Sequence, residues 1–133
     1  MLKPEAIAMG LIGEVLRRIE SKGLKIAALK LIRASKKEIE DLYEMHKGKP
    51  FYERLIDAIA SMPVVVMVVE GSNAIKVMRQ LAGATNPSEA AKGTIRGDYG
   101  LNVTQNVVHT ADGPENASRE IRIFFKRDDV LEY

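Results

Sequence analysis

Cysteine and tryptophan are absent from this chain of 133 residues, and phenylalanine and tyrosine number only three and four. Without cysteine there is no disulfide, no thiolate metal site and no thiol nucleophile. Scarce aromatics weigh against a surface that stacks nucleobases along central strands, and the most apolar stretch, 63–69, contains none. That stretch is strand-sized, far short of the ~20 residues needed to cross a bilayer. Charges interrupt the apolar residues near the start, so nothing there reads as a signal peptide. The cytoplasm is the expected location, without a membrane role. An excess of one charge sign is missing too. Twenty Lys and Arg stand against 18 Asp and Glu, a net charge of +2, and the two signs are interleaved. No basic stripe of the kind that grips nucleic acid emerges, so a local anion site is the expectation. The phosphate loop Gly-x-x-x-x-Gly-Lys-Ser/Thr, the Gly-x-Ser-x-Gly elbow and His-Glu-x-x-His are all absent. Two histidines, His46 and His109, are too few for a histidine-based metal site.

What is present reads as one α+β domain spanning 1–133. Apolar residues at Leu11, Ile12, Val15, Leu16 and Ile19 line one helical face, and Gly23 is a natural stop. Residues 24–33 read as a strand. Ser35 with Glu38 makes a capping box opening a helix to about His46, and Pro50 opens another over 51–61. The β-branched run 63–69 predicts a strand buried on both faces. Ser72 is expected to cap a helix closing at Gly83, followed by a long loop over 85–100. Residues 101–108 read as a further strand, and Asp112 with Glu115 as a second capping box with Pro114 in the first turn. A last short turn is expected from Asp128. The order is a β-α-β-β-α-β plan with an added helical hairpin, in which only Met1 and Leu2 precede the first helix.

His109 lies where a strand end meets a helix start, beside N–H groups that favour anions. It is either a half-exposed strand-end histidine or a group that meets phosphate. Glu120 shares a helical face with Ala117, Ile121 and Phe124. Facing inward, it needs a partner, and a carboxylate that orients an imidazole activates it as a nucleophile. The alternative is that Glu120 reaches solvent or pairs with Arg119 or Arg122. Arg79 and Arg96 offer fixed cationic forks suited to phosphate, or are solvated surface residues. His46, ending an amphipathic helix, reads as a solvated histidine.

Five segments occur in a telling order: Lys3-Pro4-Glu5, Lys49-Pro50-Phe51, Gly83-Ala84-Thr85-Asn86-Pro87, Gly93-Thr94-Ile95-Arg96-Gly97-Asp98 and Asn106-Val107-Val108-His109. Together they resemble the nucleoside diphosphate kinase family along essentially the whole chain. The resemblance implies a ferredoxin-like fold with its long loop near 83–100. It also implies transfer of a terminal phosphate from a nucleoside triphosphate to a diphosphate, by a ping-pong route through a phosphohistidine. His109 matches the nucleophile and Glu120 its supporting carboxylate. Lys3, Tyr43, Arg79, Thr85, Arg96 and Asn106 match residues that hold phosphates and sugar. Phe51 and Val103 match the pair around the base, which implies broad base tolerance. Mg²⁺ is implied as cofactor, arriving on ATP or another nucleotide without a protein cage. A homohexamer is implied, with a tetramer as the alternative.

Three departures stand out. Glu5 replaces the family's usual aspartate. Thr110-Ala111-Asp112 follows the histidine where a serine commonly precedes the aspartate, so a hydroxyl near Glu120 is missing. Thr110 or a water is expected to substitute in part, with activity lowered. The first strand is expected to be truncated to Met1-Leu2, at a cost of several kcal/mol if each lost backbone hydrogen bond is worth about 1. Two rival readings are a single-stranded RNA-binding module on the same plan and a scaffold that has lost catalysis.

Overall fold

The apolar run 63–69 forms the centre of the molecule. A computed structural model describes residues 1–133. In it β1, Lys25–Arg33, pairs antiparallel with β2, Pro63–Glu70, from Lys25 opposite Glu70 to Arg33 opposite Pro63. Successive side chains of a strand point to opposite faces, and both faces of β2 are covered. Val64, Val66 and Val68 enter one apolar cluster with Ile39, Leu42, Leu55, Ile56 and Ile59. Val65 enters a second cluster with Leu2, Ala6, Val15, Ile19, Leu81 and Val108. A strand buried on both faces is what the unbroken β-branched run requires.

The remaining strands of the β-α-β-β-α-β plan are reduced to single bridges. Leu2 bridges Val65 on one side and Val108 on the other, both antiparallel. The order across the sheet is therefore β1, β2, Leu2, Val108. Leu2 N–H donates to the Val65 carbonyl at 2.7 Å, and His109 N–H donates to the Met1 carbonyl at 2.9 Å. An apolar slot opens beside this stub, lined by Val66, Val68, Met78, Ala111, Ile121 and Phe124 among others.

Helices pack on both faces. They are α1 (Pro4–Ala8), α2 (Ile12–Ser21), α3 (Lys36–Leu42), α4 (Tyr52–Ile59), α5 (Ala74–Ala82), α6 (Ile95–Tyr99) and α7 (Pro114–Phe124), with short 3-10 turns at Glu44–His46, Pro87–Glu89 and Arg127–Asp129. The Ser35–Glu38 capping box forms as expected, with Glu38 N–H donating to Ser35 Oγ at 3.1 Å.

Four local expectations are corrected. The strand expected over 101–108 survives only as the Val108 bridge. Asn102 Oδ1 accepts from the N–H groups of Thr104 and Gln105 at 3.0 and 2.8 Å, so a side-chain turn supplants a ladder there. The helix after Ser72 is entered through Asn73, in the left-handed region at φ 56°, and no side chain caps it. The second capping box does not form: Gly113 is the cap residue of α7, and Asp112 accepts from the Asn116 amide instead. The stretch 85–100 is not loop throughout, since α6 and a 3-10 turn lie inside it.

Candidate active site

The segment 93–98, a turn that runs into α6, locks itself and delivers one arginine inward. Thr94 Oγ1 accepts from Gly97 N–H at 3.0 Å and donates to the Ala91 carbonyl at 2.6 Å. Asp98 accepts from Gly93 N–H at 2.8 Å and from Arg18 at 2.9 Å. A Cβ at position 97 would lie 2.0 Å from the Ala91 carbonyl oxygen, so only glycine closes this turn. Arg96, in the first turn of α6, is thereby buried to 8% exposure. Its guanidinium donates to the Gly83 and Val108 carbonyls at 2.9 and 2.8 Å, and its Nε has no partner. Gly83 accepts that approach at φ 84°, where a Cβ would strike Thr94.

Lys3 is 3% exposed, an expensive place for an ammonium unless it is paired. It donates to Asn106 Oδ1 at 3.0 Å and to the Thr104 carbonyl, with Glu5 at 3.7 Å. Burial pulls its pKa from 10.5 to about 8, against the opposing pull of Glu5. Asn106 passes the link on, its amide donating to the Thr85 carbonyl at 3.0 Å. Val107, the next residue in the chain, sits at φ 77°, a costly conformation for a β-branched residue. Two bonds hold it there: its N–H donates to Glu5 Oε2 at 3.0 Å, and its carbonyl accepts from Lys3 N–H at 2.9 Å. The longer acid at position 5 therefore pins the backbone two residues ahead of His109.

His109 Nε2 lies 2.7 Å from Glu120 Oε1, which selects the inward reading of Glu120 over solvent or Arg122. With its proton on Nε2 toward the carboxylate, the neutral ring leaves the Nδ1 lone pair free. Burial lowers the His109 pKa below 6.5, while the Glu120 hydrogen bond works in the other direction. The ring is thus neutral at pH 7, the state a nitrogen nucleophile needs. Tyr43 meets it edge-on, ring centroids 5.1 Å apart. Burial pushes the Tyr43 phenol up, so it stays protonated. Thr110 forms no hydrogen bond with Glu120; the nearest cation to Glu120 Oε2 is Arg119, at 3.9 Å. The expected substitution by Thr110 is not what the structure has.

These groups line a cleft of about 530 Å³ together with Phe51, Arg79, Thr85 and Val103, so all ten site residues named from the sequence converge. A cleft of that size suits a nucleotide-scale ligand. Lys3, Arg79 and Arg96 give it a positive lining, with Lys3 and Arg96 buried and Arg79 exposed. Phe51 and Val103 flank the outer part at 44% and 53% exposure. The roles of Glu5 and Arg119 escaped the sequence reading. Glu5 acts through a backbone N–H, which no spacing pattern signals. Arg119 donates to the Asp41 carbonyl at 2.7 Å, a bond between α7 and the end of α3 that only the tertiary fold creates. No group of three or more His, Asp or Glu side chains is placed to hold a metal ion.

A family model described as nucleoside diphosphate kinase matches residues 1–130. A nucleoside diphosphate kinase of Archaeoglobus fulgidus is 54% identical over 133 residues, covering 100% of this chain and 88% of the relative. One from Pyrococcus furiosus is 53% identical over 136 residues, covering 100% of this chain and 84% of its own length. Among solved structures, a Babesia bovis protein of the same family matches with TM-score 0.95 and 42% identity, over 99% of this chain and 89% of that one. A Halobacterium salinarum nucleoside diphosphate kinase in complex with CDP matches with TM-score 0.95 and 40% identity, over 99% and 88%.

Proposed function

Because the chain belongs to the nucleoside diphosphate kinase family, we propose that His109 is the residue through which it moves phosphate. The enzyme transfers the terminal phosphate of a nucleoside triphosphate to a nucleoside diphosphate. In the first half-reaction His109 Nδ1 gives its lone pair to the γ-phosphorus. The bond from that phosphorus to the bridging oxygen breaks, and its electron pair leaves on the diphosphate. Glu120 accepts the Nε2 proton's hydrogen bond throughout and stabilises the positive charge that the ring acquires. The second half-reaction reverses these steps with a new diphosphate.

The observation that carries this reading is the 2.7 Å bond between His109 Nε2 and Glu120, which leaves Nδ1 free in a cleft that Lys3, Arg79 and Arg96 also line. Lys3, Arg79 and Arg96 neutralise the phosphates, and phosphoryl transfer asks for little beyond positioning and charge. Thr85 and Asn106 complete the phosphate and sugar contacts, with Tyr43 as a neutral donor. Phe51 and Val103 grip the base by its faces and read few edge atoms, which makes the enzyme tolerant of many bases. The CDP bound to the Halobacterium salinarum relative supports a nucleotide in the corresponding cleft. Mg²⁺ enters as part of the nucleotide substrate. The protein works in the cytoplasm; no helix is long and apolar enough to cross a membrane. It assembles as a homohexamer, with a tetramer as the alternative. Exposed Leu29 and Leu31 on the edge strand β1 support self-association.

Intact mass after brief exposure to Mg-ATP without acceptor tests the assignment. One acid-labile phosphoryl group is expected on the parent, discharged by GDP and absent from His109→Ala. A phosphoryl group retained by the folded variant would overturn it.

A further inference from the structure

Two side chains hold the His109 ring, and they come from different elements. Glu120, on α7, bonds Nε2 at 2.7 Å. Tyr43, at the end of α3, meets the ring edge-on with centroids 5.1 Å apart. The ring is therefore held only as well as α3 and α7 are held to each other. One side chain makes the hydrogen bonds between these two helices. Arg119, next to Glu120 in the chain, donates from Nη1 to the Asp41 carbonyl at 2.7 Å and from Nη2 to the Leu42 carbonyl at 3.4 Å. Those carbonyls lie in the last turn of α3, where a helix leaves its oxygens without partners of its own. A guanidinium suits the task because its N–H groups stand in a fixed planar fork that can meet two neighbouring oxygens. Arg119 itself does not line the cleft.

We propose that Arg119 is a positioning residue for the transfer: it straps the end of α3 to α7, so that Tyr43 and Glu120 grip the His109 ring as one unit. The inference deepens the reading above and rests on His109 being the nucleophile. A hydrogen bond from Glu120 fixes one ring nitrogen and leaves the ring free to swing about that bond. The edge of Tyr43 removes the swing, provided that α3 ends where it does. Nδ1 must be aimed closely at phosphorus, since a misplacement of about 1 Å can cost 10²-fold in rate. The same guanidinium stands 3.9 Å from Glu120 Oε2, the carboxylate oxygen that His109 does not use.

The rate of His109 phosphorylation by saturating Mg-ATP, followed by rapid quench and intact mass, tests the proposal. Arg119→Met keeps the stem and removes the fork. It is expected to lower the rate roughly fivefold, the scale of one aromatic contact. In a Tyr43→Leu background the same substitution is expected to cost less than about twofold, because the strap then has no ring to place. In a Phe51→Ala background it keeps its full cost. A general loosening of the fold would cost the same in all three. Arg119→Lys preserves the charge beside Glu120 but has no fork to span both carbonyls, and its rate is expected between those of the parent and Arg119→Met. The lysine variant and its own cycle with Tyr43→Leu decide the matter if the methionine variant does not fold. The parent rate in either Arg119 variant, or a loss as large with Tyr43→Leu as without it, would overturn the proposal. If the parent takes up phosphate on His109 and Arg119→Met matches its rate, only the role of Arg119 fails. If the parent takes up none on His109, the reading of the nucleophile fails as well.

Discussion

The two ends of the cleft are built to different standards. At the inner end Lys3, Arg96 and Asn106 are each at most 8% exposed, and all three are held by backbone carbonyls or by one another. At the outer end Phe51 and Val103 stand 44% and 53% exposed and offer apolar surface. Fixed, desolvated donors suit charge that develops at one place in a transition state. A half-exposed apolar pair suits a ligand part that varies. Under the proposed function, the difference teaches that one small fold is buried and fully bonded where the chemistry is constant and open and permissive where the substrate changes.

The most damaging break in that contrast is Lys3→Met, which keeps volume and removes the inner cation. It should lower kcat/KM at least about 10²-fold, the scale of one electrostatic contact to a transition state, in a steady-state assay. A loss below tenfold would mean that Arg79 and Arg96 carry the phosphates without it. The pH profile of kcat/KM cuts next deepest. His109 is lowered from 6.5, so its ring stays neutral, and the rate stays on its plateau, to more acidic pH than a free imidazole allows; activity then falls as the ring protonates. Lys3 sits at about 8 in the free enzyme, so its charge, and with it nucleotide capture, is lost as pH rises through that value. A flat profile from pH 7 to 10 would show that Lys3 keeps its proton despite burial.

At the permissive end Phe51→Ala should raise KM for ADP about tenfold, given roughly 1–3 kcal/mol for a base stacked on an aromatic ring. It should leave kcat within about twofold if the base end contributes binding alone. A large fall in kcat would erase the division of labour. The smallest effect is expected from Ala111→Ser. The new hydroxyl gives Glu120 a donor beside His109 and should raise the rate of phosphorylation by ATP a few-fold, on the scale of about 1 kcal/mol for one added hydrogen bond. An unchanged rate in rapid-quench measurement would mean that Glu120 is already well enough oriented.

The parts legible in the sequence are those encoded by periodicity or by local chemistry. The unbroken β-branched run announced a doubly buried strand, and Ser35 with Glu38 announced their cap. Glu120 was legible as an inward carboxylate from its helical face with His109 as its candidate partner, and the fold decided between that pairing and solvent or a neighbouring arginine. Residues 101–106 misled because their alternation resembles a strand while Asn102 folds the backbone onto its own side chain. Asp112 and Glu115 misled in a similar way: the spacing was right, but the Asn116 amide captured the aspartate. What stayed illegible throughout were bonds from side chains to distant backbone. Arg96 to Val108, Glu5 to Val107 and Arg119 to Asp41 leave no trace in spacing.

The strained turn at Val107 has a consequence for how the protein comes into being. Lys3 meets its partners only across about a hundred residues of chain, and Val107 reaches its left-handed conformation only against Glu5 and Lys3. Contacts of such separation form late, because closing a long loop costs entropy before any bond repays it. A chain emerging from the ribosome therefore exposes Lys3 long before anything exists to hold it. These contacts can close only when the last quarter of the chain folds back onto its first residues. A nascent product that ends short of residue 106 lacks the Asn106 and Val107 partners that hold Lys3 and the backbone around it.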